Sequence, residues 1–375
     1  MFNMRAALIC PFNMDRVSGT PTRTRLNIKV ISRFAEVSAY ATGGFFSNTF
    51  VVSDTSRFGR FVPGTRLAKF SFGVMRNLFF LKPDAVHAVT TAAVLPAALY
   101  KLLHPRTRFI FEIHGLSFYE ARNLSYILRL FFRVLDWIGT RLADALIVMS
   151  HTQQKFLCAN FGVNPRKIFI SWGPVDMSLY PYCDPPISPS FHVGYLGNDS
   201  FWQGLPLILE AAKILQSEKN IRFVLGGFDP KNYQNYGLVN TDFAGVVPRG
   251  EEPAFFSQCH VLLSTRIKGE VSDTQYPYKL SYYLAAGRPV IASDTSDQRL
   301  ILEKTRCGLV LADYTPQALA DAIRKMFQTA KFERLTMGRS AYKFAQENFS
   351  LEVFEKKIKE IYLSSARKRG SLLPR

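Results

Sequence analysis

Lys279 is the first residue whose placement asks for a chemical explanation. It lies in Tyr276-Pro277-Tyr278-Lys279-Leu280-Ser281-Tyr282-Tyr283-Leu284-Ala285-Ala286-Gly287-Arg288-Pro289-Val290-Ile291-Ala292-Ser293. There Pro277 stands where a helix would begin, and Gly287 where it would close about three turns later. A helix start exposes unpaired N–H groups and a positive dipole end, which disfavours a lysine unless an anion shares the place. A diphosphate fits that description. Just upstream, Val261-Leu262-Leu263-Ser264 runs into Arg266-Ile267-Lys268-Gly269-Glu270-Val271-Ser272-Asp273, which offers two more cations and two carboxylates. In the first half, Arg108–Ile113 leads into His114 and Gly115, and strand alternation puts Glu112 on the same face as His114. Earlier still, Ser18-Gly19-Thr20-Pro21-Thr22-Arg23 is a small-residue loop able to bring backbone amides close to an anion.

The elements that must position these residues read as an α/β protein. Short apolar runs suited to buried parallel strands alternate with helical patterns. The first-half candidates are 6–10, 36–41, 49–52, 85–88, 108–113, 145–149 and 168–171; the second-half ones are 192–197, 222–226, 261–264, 289–292 and 308–311. Leu205–Leu215 and Pro316–Phe327 carry apolar residues at helical spacing. Two doubly wound domains follow, with functional loops beyond the carboxyl ends of the strands. The proline cluster at 181–189 marks a division into residues 1–175 and 176–345, with 346–375 closing the chain.

Composition bounds the partners. Of 375 residues, 47 are Lys or Arg and 29 Asp or Glu, a formal charge of +18 that calls for anionic partners. Residues 1–175 hold 22 basic and 8 acidic side chains, residues 176–345 hold 18 and 17, and residues 346–375 hold 7 and 4, so the excess sits in the first half. There Arg57–Phe61, Arg66–Phe72, Arg76–Lys82 and Arg122–Arg133 interleave cations with large apolar groups. Core helices with basic outer faces have that makeup, and so do helices lying on an anionic membrane surface. No nucleic-acid-binding motif accompanies it, so nucleic acid is not expected. The five cysteines are scattered without C-x-x-C spacing, which argues against zinc and fits a reducing cytosol. No uncharged apolar run reaches the ~18 residues of a membrane span. Any membrane contact is expected to be peripheral, at the inner face of the cell membrane.

The 277–293 segment resembles the nucleotide-binding motif of GT-B glycosyltransferases of family 4 (group 1), P-x-K-L-x-E-Y-L-A-x-G-x-P-V-I-A-S. It matches at Pro277, Lys279, Leu280, Tyr283, Leu284, Ala285, Gly287 and Pro289–Ser293. Other stretches extend the resemblance over most of the chain. Trp202-Gln203-Gly204-Leu205 with Leu209-Glu210-Ala211-Ala212 is similar to the helix opening the family's second domain. Phe223–Gly227 resembles its strand and glycine turn near the base, and Gly245-Val246-Val247-Pro248 the segment whose backbone reads the nucleobase. Ser18–Arg23 resembles the glycine loop facing the donor, Glu112–Gly115 the E-x-H segment near the transferred sugar, Leu142–Ser150 the strand ending the first domain, and Gly173-Pro174-Val175-Asp176 the inter-domain linker. From Phe349-Ser350 onward the chain resembles the helix that crosses back to domain one.

The resemblance implies a GT-B fold, two Rossmann-like domains facing a central cleft, with the donor held by the second domain. It implies a retaining transfer without cofactor or metal, from a UDP- or GDP-sugar to a glycan or polyprenyl-linked acceptor. His114, Lys279, Asp273 and Glu270 become the catalytic candidates. Gly19, Gln203, Gly204, Gly226, Val246, Val247, Arg266, Lys268, Tyr282 and Leu284 become the donor-binding ones. Two departures stand out. The family's E-x7-E carboxylates fall on Thr274 and Tyr282, and Gln203 replaces a common lysine. A non-catalytic GT-B-like subunit binding a nucleotide or glycan is therefore the alternative.

Overall fold

Runs such as Ala6-Ala7-Leu8-Ile9-Cys10 are apolar at every position, and every one of those side chains is wholly buried, as parallel strands covered on both faces require. The computed structural model describes residues 4–16, 18–44, 49–51, 63–122, 124–248 and 250–364. It contains β1 (Arg5–Asn13), α1 (Gly19–Ile31), β2 (Glu36–Gly43), β3 (Thr49–Val51), α2 (Pro63–Leu81), β4 (Ala85–Val89), α3 (Val94–Leu103), β5 (Arg108–Ile113), α4 (Ser117–Glu120), α5 (Tyr126–Leu142), β6 (Ala145–Val148), α6 (His151–Phe161) and β7 (Ile168–Ile170). There follow β8 (Phe191–Leu196), α7 (Leu205–Ile214), β9 (Ile221–Gly226), β10 (Thr241–Gly245), α8 (Glu252–Ser257), β11 (Val261–Ser264), α9 (Glu270–Asp273), α10 (Tyr278–Ala285), β12 (Val290–Ala292), α11 (Gln298–Thr305), β13 (Gly308–Val310), α12 (Pro316–Gln328), α13 (Lys331–Phe349) and α14 (Leu351–Leu363).

The chain forms two compact units, Met1–Pro174 with Leu351–Arg375, and Val175–Ser350. Each is organised around one parallel sheet, ordered β3-β2-β1-β4-β5-β6-β7 in the first and β10-β9-β8-β11-β12-β13 in the second. In the first sheet the strand order reverses between β1 and β4, in the second between β8 and β11. Ligands of open α/β sheets bind beyond the carboxyl ends at such points. Of the segments singled out above, Ser18–Gly19 follows β1 and Arg266 follows β11, strands at those points, while His114 follows β5, one strand beyond β4.

Strand alternation sorts the first unit's core into two layers. Ala6, Leu8 and Cys10 pack with Ile28 of α1 and with Phe354 and Ile358 of α14. Ala7 and Ile9 face the layer that holds Phe70 and Leu78 of α2, Ala97 and Tyr100 of α3, and Leu135 of α5.

All twelve strand candidates form strands, with ends that differ by a few residues. The missed thirteenth, β10, pairs only with β9 and alternates buried with exposed residues, including the charged Asp242. An edge strand half in water lacks the continuous apolar run that marks its neighbours. The helix after Pro277 is a correction: α10 has eight residues, a little over two turns. It stops at Ala286 because Gly287 takes a left-handed φ of +65° and breaks the ladder toward β12.

Candidate functional site

In the second unit the site begins with an ammonium that has no hydrogen bond among the described residues. Lys279 is the second residue of α10. Its side chain is half-buried, but its Nζ is sealed from water and has no hydrogen-bond partner among the described residues. Nζ sits 3.9 Å from the centre of the Tyr195 ring, a cation–π contact. It occupies space left by Gly197, where a Cβ would lie 2.6 Å from Nζ. Burial, and secondarily the nearby Arg266 charge, hold the ammonium well below the ordinary lysine range. A cation shut away beside another cation at a helix N-terminus is expensive alone, and an anion there would offset the cost.

Arg266 is almost fully buried and donates to the Gln275 carbonyl (2.9 Å) and the Gln275 Oε1 (2.6 Å). It therefore holds the segment before α10 in place besides adding positive potential. Gln203, expected beside the diphosphate, also has its Oε1 sealed without a hydrogen-bond partner among the described residues. The following Gly204 opens α7 at φ +72°, and a Cβ there would fall on the Thr265 carbonyl oxygen. Gly204→Ala should therefore destabilise the second unit by about 3 kcal/mol or more, from left-handed strain plus overpacking, seen as a lower urea midpoint. An unchanged midpoint would remove Gly204 from this account.

The remaining expected donor residues separate into distinct settings. Gly226 ends β9, and the Gly197 N–H donates to its carbonyl at 3.0 Å. Val246, exposed, and Val247, half-buried, follow β10. Lys268 and Glu270 are exposed. Asp273 is half-buried, and its carboxyl is raised by burial against a lowering hydrogen bond from the Ser296 backbone. Tyr282 stacks on Tyr180 at 5.7 Å and meets Tyr278 edge-on at 5.1 Å. Leu284 is a correction at the level of its side chain, which is completely buried. It anchors α10 in the core and offers no side-chain contact to a ligand.

In the first unit the centre of the site is Glu112, fully buried on β5. It forms an ion pair with Arg23 of α1, accepts from Asn27 Nδ2 at 2.6 Å, and lies 2.9 Å from His87 Nε2 and 3.0 Å from His114 Nε2. Burial alone would raise the Glu112 carboxyl, but Arg23 and the two histidines outweigh it and hold the carboxyl well below its usual range. His114 responds oppositely: burial, helped by the Arg23 and His87 charges, lowers it against Glu112. The neutral ring then donates from Nε2 to Glu112, while Nδ1 accepts from Thr20 Oγ1 at 3.0 Å. Both ring nitrogens are occupied, so neither is free to act as an acid or base in this arrangement. Thr20 follows Gly19, the first residue of α1. The expected loop at 18–23 is thus corrected: from Gly19 on it is the first turn of α1, and that turn is in direct contact with the Glu112–His114 segment.

Sequence reading missed Arg23, Asn27 and His87 as partners of Glu112, and Tyr195 and Gly197 as the seat of Lys279. Only for Gly197 was there a signal, a glycine directly after a strand end.

Two family models match the chain: Glycosyltransferase Family 4 over residues 30–179, and Glycosyl transferases group 1 over residues 190–329. Between them they span most of its length. The chain belongs to the group 1, family 4 glycosyltransferases. Solved structures agree on the GT-B fold of this glycosyltransferase. Sucrose-phosphate synthase from Thermosynechococcus elongatus superposes with a TM-score of 0.78 at 15% identity, covering 98% of this chain and 100% of that one. HepE of Anabaena, solved in complex with UDP-glucose, gives 0.75 at 18% identity, covering 97% and 100%. WaaG, described as a glycosyltransferase involved in lipopolysaccharide biosynthesis, gives 0.72 at 15%, covering 95% and 99%. No curated protein matches the glycosyltransferase by sequence.

The two family carboxylates missing from this glycosyltransferase are replaced by residues with local bonds. The Thr274 hydroxyl donates to the Glu270 carbonyl at 2.6 Å, and Tyr282 sits in the aromatic stack described above.

Proposed function

We propose that this glycosyltransferase transfers a sugar, with retention of anomeric configuration, from a UDP- or GDP-sugar to a glycan or polyprenyl-linked acceptor. Its setting would be the synthesis of cell-surface polysaccharide or glycolipid on the cytoplasmic side. The observation that carries the reading is the Lys279 ammonium, desolvated and without a hydrogen bond among the described residues at the start of α10. A nucleotide diphosphate supplies the missing charge there. HepE, solved with UDP-glucose, supports a UDP-sugar.

In this mechanism the C1–oxygen bond to the diphosphate breaks while the acceptor oxygen bonds C1 on the same face. The acceptor's proton passes to the leaving phosphate oxygen. Lys279, Arg266 and the first turn of α10 stabilise the charge developing on the diphosphate, so protein cations do this work without a cofactor or metal. The backbone of Val246 and Val247 reads the base. The Tyr282 hydroxyl serves the ribose in place of a carboxylate, and Gln203 replaces the lysine at its position. Glu270 and Asp273 are the carboxylates available to the donor sugar, and Lys268 adds surface charge. In the first unit, His114 and the amides at Gly19 are assigned to the sugar side.

A thermal-shift screen of UDP- and GDP-sugars tests the reading, because a specific donor raises the midpoint with occupancy. One donor should stabilise the protein by several degrees and turn over with an acceptor. Stabilisation without turnover of any donor would identify a nucleotide-binding subunit, the reading that Thr274 and Tyr282 favour. No shift with any nucleotide would reject both.

A further inference from the structure

The two helical layers of the first unit differ on their outer faces. On one side of the sheet, α14 exposes one large apolar side chain, Leu363, and α1 exposes none. On the other side, α2 packs beside α3 and α3 beside α5, and all three leave apolar residues uncovered. On α5, Tyr126, Ile127, Leu130, Val134 and Trp137 form a helical stripe opposite the buried Leu135 and Gly139. Along α2 the outward stripe is Lys69, Phe72, Arg76, Phe79 and Phe80, and Phe80 is 81% exposed. Between them α3 exposes Leu102 and Leu103. An uncovered face of this size marks an interaction surface.

Its charge selects the partner. Arg66, Lys69 and Arg76 lie on α2, and Arg129, Arg133 and Arg141 on α5, whereas the three helices contain a single acidic residue, Asp136. Asp136 is fully buried on the opposite side of α5, where burial pushes its carboxyl well up. The exposed face thus offers aromatic and aliphatic groups set among cations, with no opposing carboxylate from these helices. We propose that the outer face of α2, α3 and α5 docks on an anionic lipid bilayer, with Phe72, Phe80, Ile127 and Trp137 entering the interface and the arginines at headgroup level. A protein partner would be expected to meet such a face with acidic side chains, and a second copy would bring like charge against like charge. The inference stands apart from the transferase reading, because docking requires neither donor nor acceptor.

Flotation with phosphatidylcholine vesicles, with and without phosphatidylglycerol, tests it. The protein should float with the anionic vesicles at low salt and be released as salt rises. Arg76→Glu with Arg133→Glu should reduce partitioning by at least about tenfold, because each cation near the surface is worth about 1 kcal/mol. Phe80→Ser with Ile127→Ser should do the same, and these four side chains are exposed enough that the variants keep their melting temperature. Trp137 fluorescence should shift to the blue on docking, a change absent from Trp137→Phe. Three results would overturn the proposal: no flotation with anionic vesicles at low salt, flotation that the two double variants leave unchanged, or a dimer in sedimentation that Phe80→Ser with Ile127→Ser dissociates.

Discussion

Replacing Lys279 with methionine is expected to lower kcat by about 10²–10³ while raising the melting temperature of the ligand-free protein. The first effect is the loss of one preorganised charge at the leaving group, roughly 3–4 kcal/mol of transition-state stabilisation. The second follows because methionine fills the space over Tyr195 without a desolvated ammonium. These opposite signs separate a binding role from a structural one: a lysine that merely supports α10 would lose stability and activity together.

A pH signature accompanies the substitution. Folding depresses the Lys279 ammonium well below 10.5, chiefly by burial. Between its folded value and 10.5 the unfolded chain holds a proton that the folded chain lacks, so stability rises with pH through that window. Below it both states are charged, and the folded state carries the full penalty. The methionine variant lacks this contribution to the slope. Diphosphate binding should favour the charged form and, at any pH above the ligand-free folded value, take up a proton, measurable by calorimetry in two buffers of different ionisation enthalpy. Wild-type turnover in the variant, with the right donor, would remove Lys279 from the mechanism.

Glu112→Ala should cost the first unit about 3–5 kcal/mol, because it strands the buried Arg23 guanidinium. Arg23 also donates to the Trp172 carbonyl at 2.7 Å and packs over Phe354 at 5.0 Å. The damage should therefore reach α14 and the segment after β7. Urea unfolding followed by Trp137 and Trp172, with Trp202 reporting the second unit, would localise the loss. Pairing the change with Arg23→Met should recover part of it, since no unpaired guanidinium then remains. For the wild type, folding depresses the Glu112 carboxyl, so its contribution is complete above about 4.5 and is lost as pH falls through the folded-state value. A Glu112→Ala protein as stable as wild type would show that losing Glu112 does not leave the Arg23 guanidinium stranded.

The α/β class, the position of nearly every strand and the family were legible in the sequence. Buried parallel strands are uniformly apolar, and residues such as Lys279 and Gly287 keep a short motif in one order along the chain. The same local information placed His114 and Arg266 just beyond strand ends. What surrounds those side chains was not legible, because it depends on groups far apart in the chain. Glu112 meets His87 and Arg23 only when β4, β5 and α1 assemble, and Arg266 proves to be a buried brace on Gln275 rather than a surface charge. Lys279 shows both sides of this limit. Its type and spacing made it a candidate for an anion. Only the fold could enclose its ammonium between the Tyr195 ring and the space at Gly197, since burial is a property of packed elements. The basic, aromatic first half follows the same rule. Composition pointed to an anionic partner, whereas the packing of α2, α3 and α5 side by side determined which apolar residues stay uncovered; the Arg57–Phe61 stretch of that pattern lies outside the described residues.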